Sequence, residues 1–268
     1  MIHAVSCKRF RMIAHTLRAS FAIVGTLALV ACTPNPGLAP GEVFDPNEAQ
    51  NRKSHEFNKS VDRALIRPVG KSYSNVMPDD IETALGRFTN NLSIPGSVVN
   101  NVLQLNMRGG TEDLYRFAVN STLGLGGFFD PATELKMPAA TDADFGQTLH
   151  VWGVPEGAYL ELPLVGPSTE RALAGRVVDL FTNPLGYVFP DPEAYYVAGV
   201  KGLSRVGKRG RYADTIDSIL YDSADSYAQT RSLYLQKRRF ELGEAGGDAY
   251  LDPYDDPSGS PYEDPYDQ

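Results

Sequence analysis

Apolar residues recur along this chain at helical spacing, and prolines stand where the helices begin. Asp45-Pro46 followed by Glu48 reads as a cap, a first-turn proline and a first-turn acid, opening a helix that ends near Arg67-Pro68. Pro78 opens a second helix, with Ile81, Leu85, Phe88 and Leu92 on one stripe. Pro95 opens a third, carrying Val98, Val99, Val102, Leu103 and Leu105. Thr111 caps a fourth, with Leu114, Phe117 and Ala118 inside and Gly124 as its stop. Thr169 caps "ERALAGRVVDLF", where Leu173, Val177, Leu180 and Phe181 share a face. "ADTIDSILYDSADSYAQTRSLYLQKRRFEL" is the longest candidate, about thirty residues at roughly helical spacing.

One strand signal stands out, "YLELPLV" from Tyr159 to Val165, and Pro163 confines it to an edge or a hairpin. The longer stretch His150 to Gly166 is built like a hairpin. Val154-Pro155-Glu156-Gly157 suits a type I turn, and Gly153 before it has no Cβ to restrict it. Pro155 fixes one φ angle, so a hinge falls at Gly153 and Gly157 and leaves the tip stiff. There is no βαβ alternation and no internal repeat. The fold class read from the chain is mainly α, in a single domain.

"NSTLGLGGFFD", Asn120 to Asp130, tests whether a glycine-rich stretch cradles phosphate. Its spacing is not G-x-G-x-x-G, it follows a helix rather than a strand, and no Gly-Lys-Ser/Thr accompanies it. The glycines end a helix and turn the backbone. The residues after them, Leu125, Phe128 and Phe129, are core in a water-soluble protein; in a lipid-anchored one they face acyl chains or the membrane.

The first 31 residues have a different character. Lys8, Arg9, Arg11 and Arg18 precede an uncharged apolar run, Ala19 to Ala31, too short to span a bilayer and typical of a secretory signal. The run ends in "LVAC", which resembles the lipobox of bacterial lipoproteins. That makes Cys32 the lipid attachment site and residues 1–31 a signal peptide. Thr33 after the cysteine favours the outer membrane over inner-membrane retention. Cys7 leaves with the signal, so the mature body has no thiol for a disulfide or a metal.

Losing the signal's four cations takes the net charge from −8 to −12. Most of that sits at the far end, which has nine acids and no base from Glu241 onward. With Pro-Tyr repeated at 253–254, 261–262 and 265–266, residues 241–268 read as an acidic disordered tail. Residues 32–43 read as a flexible Pro/Gly tether. The body at 44–240 is near neutral and has no basic stripe for nucleic acid. Catalytic patterns are missing too. His55 and His150 have no metal-ligand neighbour at helical spacing, no G-x-S-x-G elbow occurs, and "DFG" at Asp144 to Gly146 lacks every other kinase element. We read no enzyme, no cofactor and no metal.

Four long stretches then carry a resemblance: "NNLSIPGSVVNNVLQ" (Asn90 to Gln104), "RFAVNSTLGLGGFFDPA" (Arg116 to Ala132), "DFGQTLHVWGVPEGAYLELPLVGPSTER" (Asp144 to Arg171) and "DSYAQTRSLYLQKRRF" (Asp225 to Phe240). In this order, behind a lipobox, the chain resembles the MlaA/VacJ family of outer-membrane lipoproteins over 44–240. The resemblance implies a ring- or donut-like helical body in the inner leaflet of the outer membrane, with an amphipathic central channel. Phospholipids misplaced in the outer leaflet leave through it to a periplasmic MlaC-type carrier, beside a trimeric porin, so that lipid asymmetry is kept. It also implies that a loop of the kind holding Gly153, Pro155 and Gly157 borders the channel and gates it. The chain departs from the family pattern at Ala172, where an acid often follows the arginine, and at Pro155, where a second glycine can stand. Two rival readings remain: a lipid-binding envelope lipoprotein without a through-channel, and a structural lipoprotein that only accompanies a porin.

Overall fold

The computed structural model describes residues 43–184 and 193–243. The signal peptide, Cys32, nearly all of the tether and the tail beyond Gly243 lie outside the described residues.

The first helix, α1 (Glu48–Val61), starts after Asn47, so Asp45 and Pro46 stand before it and do not cap it, and Asp45 instead accepts from Asn51, Tyr227 and Arg231; nor does the helix end at Arg67-Pro68. It passes through a π-helical segment (Asp62–Ile66) into α2 (Arg67–Val76). The wider turn explains how Pro68 is accommodated. The Arg67 amide donates to the Asp62 carbonyl five residues back, and Pro68, with no N–H to place, falls in the first turn of α2. The helix stops at Met77 (φ −81°, ψ 124°), the extended residue that a following proline favours. Three acids then occupy the first turn of α3 (Asp79–Asn91), and Pro95 that of α4 (Ile94–Leu103).

α5 (Met107–Thr122) begins a turn earlier than expected. Asn106, not Thr111, caps it by accepting from the Gly109 amide at 3.1 Å, and the Thr111 hydroxyl instead donates to the Met107 carbonyl. A 3₁₀ turn (Leu125–Gly127) follows, then α6 (Pro131–Glu134) and α7 (Phe145–Val151), the last capped by Asp144 and absent from the sequence reading.

The strand pair is β1 (Tyr159–Leu162) with β2 (Gly166–Thr169), antiparallel, with Tyr159 opposite Thr169 and Leu162 opposite Gly166. The hairpin therefore turns at residues 163–165. The expected hairpin over 150–166 is corrected: Gly153, Pro155 and Gly157 lie in the link between α7 and β1. Pro163 is in the turn, where its missing N–H costs no ladder bond.

Thr169 caps α8 (Glu170–Thr182) as expected, accepting from the Ala172 amide at 3.3 Å. α9 (Glu193–Arg211) was not foreseen. The thirty-residue candidate divides into α10 (Ala213–Asp217), a second π segment (Ser218–Asp222) and α11 (Ser226–Glu241). It is broken by extended Ser223 (ψ 148°) and restarted by the Asp225 cap.

The packing partners close on themselves. α9 lies on α2 and α3, α3 on the 3₁₀ turn, that turn on α5, α5 on α4, α4 on α7, α7 on α8, α8 on β2, and β1 on α1, which leads back to α2. The body is thus a helical ring with a short hairpin. The α2–α9 crossing depends on glycine: a Cβ on Gly210 would sit 2.1 Å from the Gly70 carbonyl oxygen. The compact apolar centre is small, with Tyr159, Tyr227 and Leu235 packed beside Val43 and Tyr234.

Candidate functional site

Three helices of the ring, α1, α4 and α5, bury mostly polar side chains. α5 buries Asp113, Arg116 and Asn120, spaced as one helical stripe, while Leu114 and Tyr115 on the other side are exposed. The expected inside of this helix is reversed for Leu114 and Ala118, and Phe117 is only half-buried. α4 buries Ile94 at its start and then Ser97, Asn100 and Asn101, and exposes Val102 and Leu103. α1 buries Asn51, Ser54 and His55 and exposes Phe57. On α8, Leu180 is 78% and Phe181 59% exposed. Periodicity locates a face; it does not say which solvent that face meets.

Buried polar groups are tolerable only when hydrogen-bonded. Asn101 donates to Asp113 (2.9 Å) and Thr141 (2.8 Å), and the Thr141 amide and hydroxyl both donate to Asp113. Asn100 donates to Asp179 at 3.0 Å and accepts from Thr148 at 3.1 Å. Arg116 holds Asp130, which also receives Asn120 at 2.9 Å. These bonds tie α4, α5, α7 and α8 together.

The glycine-rich stretch resolves into a helix stop and an outward apolar surface. A Cβ on Gly124 would meet the Asn120 carbonyl oxygen at 2.4 Å, and one on Gly127 (φ +101°) would meet Asn91 at the same distance. Leu125 is 67% and Phe129 57% exposed. Phe128 is partly covered, stacking on Phe88 with ring centroids 4.7 Å apart.

The link from α7 to β1 is tied at several points. Arg171 donates to the Val154 carbonyl at 3.0 Å, the Arg171 amide to the Glu156 carbonyl at 3.2 Å, and Arg239 to the Glu156 carboxylate at 3.1 Å. Gly153 (φ +84°) has open space around it, whereas a Cβ on Gly157 (φ +73°) would meet Glu170 at 2.5 Å.

A cavity of about 380 Å³ opens between α1, the hairpin turn, α9 and the α10–α11 segment. One part of its wall is apolar, including Ile66, Leu164, Val165 and Leu220; the other carries His55, Lys59, Asp62, Glu161 and Arg209. Behind it, Arg209 donates to Asp62 (2.8 and 2.7 Å) and to Asp217 (2.6 Å), and Asp217 also receives Arg67 and Lys71. Hydrogen bonds, first from Arg67 and then from Arg209 and Lys71, hold the Asp217 carboxyl well below the usual range although burial opposes them. Burial pulls Arg209 down, and its bonds to Asp62 and Asp217 more than reverse that. Sequence reading missed these charges because their partners are far apart along the chain, as Arg209 and Asp62 are. Among the described residues no group of His, Cys, Asp or Glu could hold a metal, and no helix is long and apolar enough to cross a membrane.

Comparison with known proteins agrees with this geometry. The family model described as MlaA lipoprotein matches residues 43–241. A lipoprotein of Escherichia coli named intermembrane phospholipid transport system lipoprotein MlaA is 33% identical over 228 residues, 84% of this chain and 88% of that one. Its namesake in Haemophilus influenzae is 30% identical over 83% of this chain and 89% of its own. A solved structure described as "Structural basis for maintenance of bacterial outer membrane lipid asymmetry" superposes with a TM-score of 0.64 at 31% identity, covering 74% of this chain and 98% of that one. The chain belongs to the MlaA lipoprotein family.

Proposed function

We propose that this chain is an outer-membrane lipoprotein, anchored through Cys32, that removes misplaced phospholipids from the outer leaflet. They pass through an amphipathic channel in the ring to a periplasmic carrier of the MlaC type, and a trimeric porin holds the ring in place. No bond is made or broken in the lipid. The observation that carries this reading is α5, where a buried Asp113, Arg116 and Asn120 lie on the side opposite exposed Leu114 and Tyr115. Large apolar side chains are stable outside when the surroundings are hydrocarbon, and a polar interior suits the passage of a charged headgroup. The relatives named for intermembrane phospholipid transport and the solved structure described for outer-membrane lipid asymmetry support it.

The test has two arms. In cells lacking the chain, outer-leaflet phospholipid, measured as the lipid digested by phospholipase added to intact cells, should rise. The full-length chain should restore it; Cys32→Ser should not. With purified lipidated protein in vesicles labelled in one leaflet, each molecule should move many lipids to a soluble acceptor. Release of one lipid per protein would instead support a binding module without a through-channel.

A further inference from the structure

We propose that the cavity between α1, the hairpin turn and α9 is a phosphodiester site. It takes the charged head of a lipid on Arg209, Lys59 and Thr230, with the first acyl carbons against Leu164, Val165 and Leu220. The proposal rests on the transport reading above and names where in the ring the headgroup is held.

Two buried polar atoms on this wall have no hydrogen-bond partner among the described residues: Arg209 Nη1 and Thr230 Oγ1. Arg209 is only 7% exposed, and its Nε and Nη2 are spent on Asp62 and Asp217. A buried donor left unpaired is costly, so the unpaired Nη1 of a residue that lines the cavity points to an acceptor that comes and goes. Lys59 lines the same space, 3.3 Å from the Ser226 hydroxyl and 3.6 Å from Glu56, which is itself largely exposed.

The nearby carboxylates are already engaged. Asp217 is shared by Arg67, Lys71 and Arg209, and Asp62 takes Arg209 and the Tyr221 hydroxyl. Glu161, the other carboxylate on the wall, accepts from the Tyr159 hydroxyl at 2.5 Å and Asn58 at 3.2 Å, with His55 3.7 Å away. Arg209, Lys59 and Thr230 line the same cavity, and a guanidinium, an ammonium and a hydroxyl form a donor set that matches phosphoryl oxygens. The rest of the wall is hydrocarbon. A free phosphate would leave that surface unused, whereas a phospholipid head joined to its acyl chains covers both parts.

The experiment uses the full-length lipidated protein in detergent and three probes: dihexanoyl phosphatidylglycerol, dihexanoylglycerol with the same chains and no phosphate, and inorganic phosphate. The phosphatidyl probe should bind, and the other two at equal concentration should neither bind nor displace it. Lys59→Met and Thr230→Val should each weaken it about tenfold, the loss of one charge-assisted bond. Thr230→Val should leave the thermal midpoint equal or higher, because it removes an unpaired hydroxyl. Equal binding of dihexanoylglycerol, full displacement by phosphate, or unchanged binding in both variants would each overturn the site. If both variants bind and export lipid normally, only this site fails. If the wild-type chain neither binds phospholipid nor restores asymmetry in cells, the transport reading fails with it.

Discussion

Arg116 Nη2 lies 2.9 and 2.8 Å from the two carboxylate oxygens of Asp130, joining the middle of α5 to the cap of α6. The same guanidinium donates to the Pro138 carbonyl at 2.9 Å and to the Thr133 hydroxyl at 2.5 Å. Burial raises the Asp130 carboxyl, but bonds from Thr133 and Asn120 and the charge of Arg116 bring it below its ordinary value. One side chain thus anchors the whole return from α5 to the link before α7.

Removing one member of a buried pair strands the other. Arg116→Leu should lower unfolding stability by about 3–5 kcal/mol. The double variant Arg116→Leu with Asp130→Leu should recover a good part of that loss, because no charge is left unpaired. Denaturant unfolding of the four proteins of this cycle measures it. A double variant no more stable than the worse single one would show that the pair itself stabilises the ring.

Asp217 predicts the acid limit of stability. Its folded carboxyl lies far below the unfolded value of about 3.9, so the stabilisation is complete above that pH and is lost as pH falls toward the folded value. Asp225, drawn down to about 2 by Arg52, behaves the same way but is 43% exposed and therefore screened by salt. Denaturant midpoints should be flat from pH 7 to about 4 and fall below it. Asp217→Asn should start lower at neutral pH and lose less on acidification, in high salt as in low. A wild-type and variant with parallel pH profiles would remove Asp217 from the account.

Some helix starts were legible in this chain, although Asp45 and Thr111 do not cap the helices assigned to them. Thr169 acts through a bond to Ala172, and the prolines at 78 and 95 act through their fixed φ, all within one turn, and such local effects leave a pattern in the sequence. The orientation of α5 was not legible. Asp113, Arg116 and Asn120 repeat with the same period as the apolar residues beside them, and only knowledge of the surrounding medium decides which stripe is inside. α9 escaped because its packing face is made of Ser204, Gly207 and Gly210 rather than of large apolar side chains. Nor could the cavity be read, since Arg209 meets Asp62 across 147 positions.

The two phenylalanines at the end of the glycine-rich stretch should now behave differently. Phe129 is 57% exposed, while Phe128 stacks on Phe88. Phe129→Asp should leave helical circular dichroism and the thermal midpoint in detergent close to wild type, yet sharply reduce flotation with vesicles, because a carboxylate at that depth is expensive in hydrocarbon. Phe128→Asp should lose both membrane association and stability. If Phe129→Asp unfolds the protein as readily as Phe128→Asp, the outward reading of this surface is wrong.

Gating by the α7–β1 link is the most demanding expectation, and the structure sets its terms. Gly153 and Gly157 both take positive φ angles, and between them Pro155 keeps the tip stiff, so the link would swing as one piece. To do so it must release Val154 from Arg171 and Glu156 from Arg239. Arg239→Gln should loosen the closed position and raise lipid exit in the vesicle assay. Glu156→Cys paired with Arg171→Cys does the opposite. A backbone hydrogen bond of 3.2 Å joins these two residues, and the chain's two native cysteines, Cys7 and Cys32, lie outside the described residues. Substituting Arg171 also removes its bond to Val154, so the reduced double variant is the reference and wild type is not. With a gate, oxidation stops lipid exit and reductant restores it, at constant expression and vesicle binding. Exit at the same rate with the disulfide fully formed would leave the link as a fixed strut between α8 and α11.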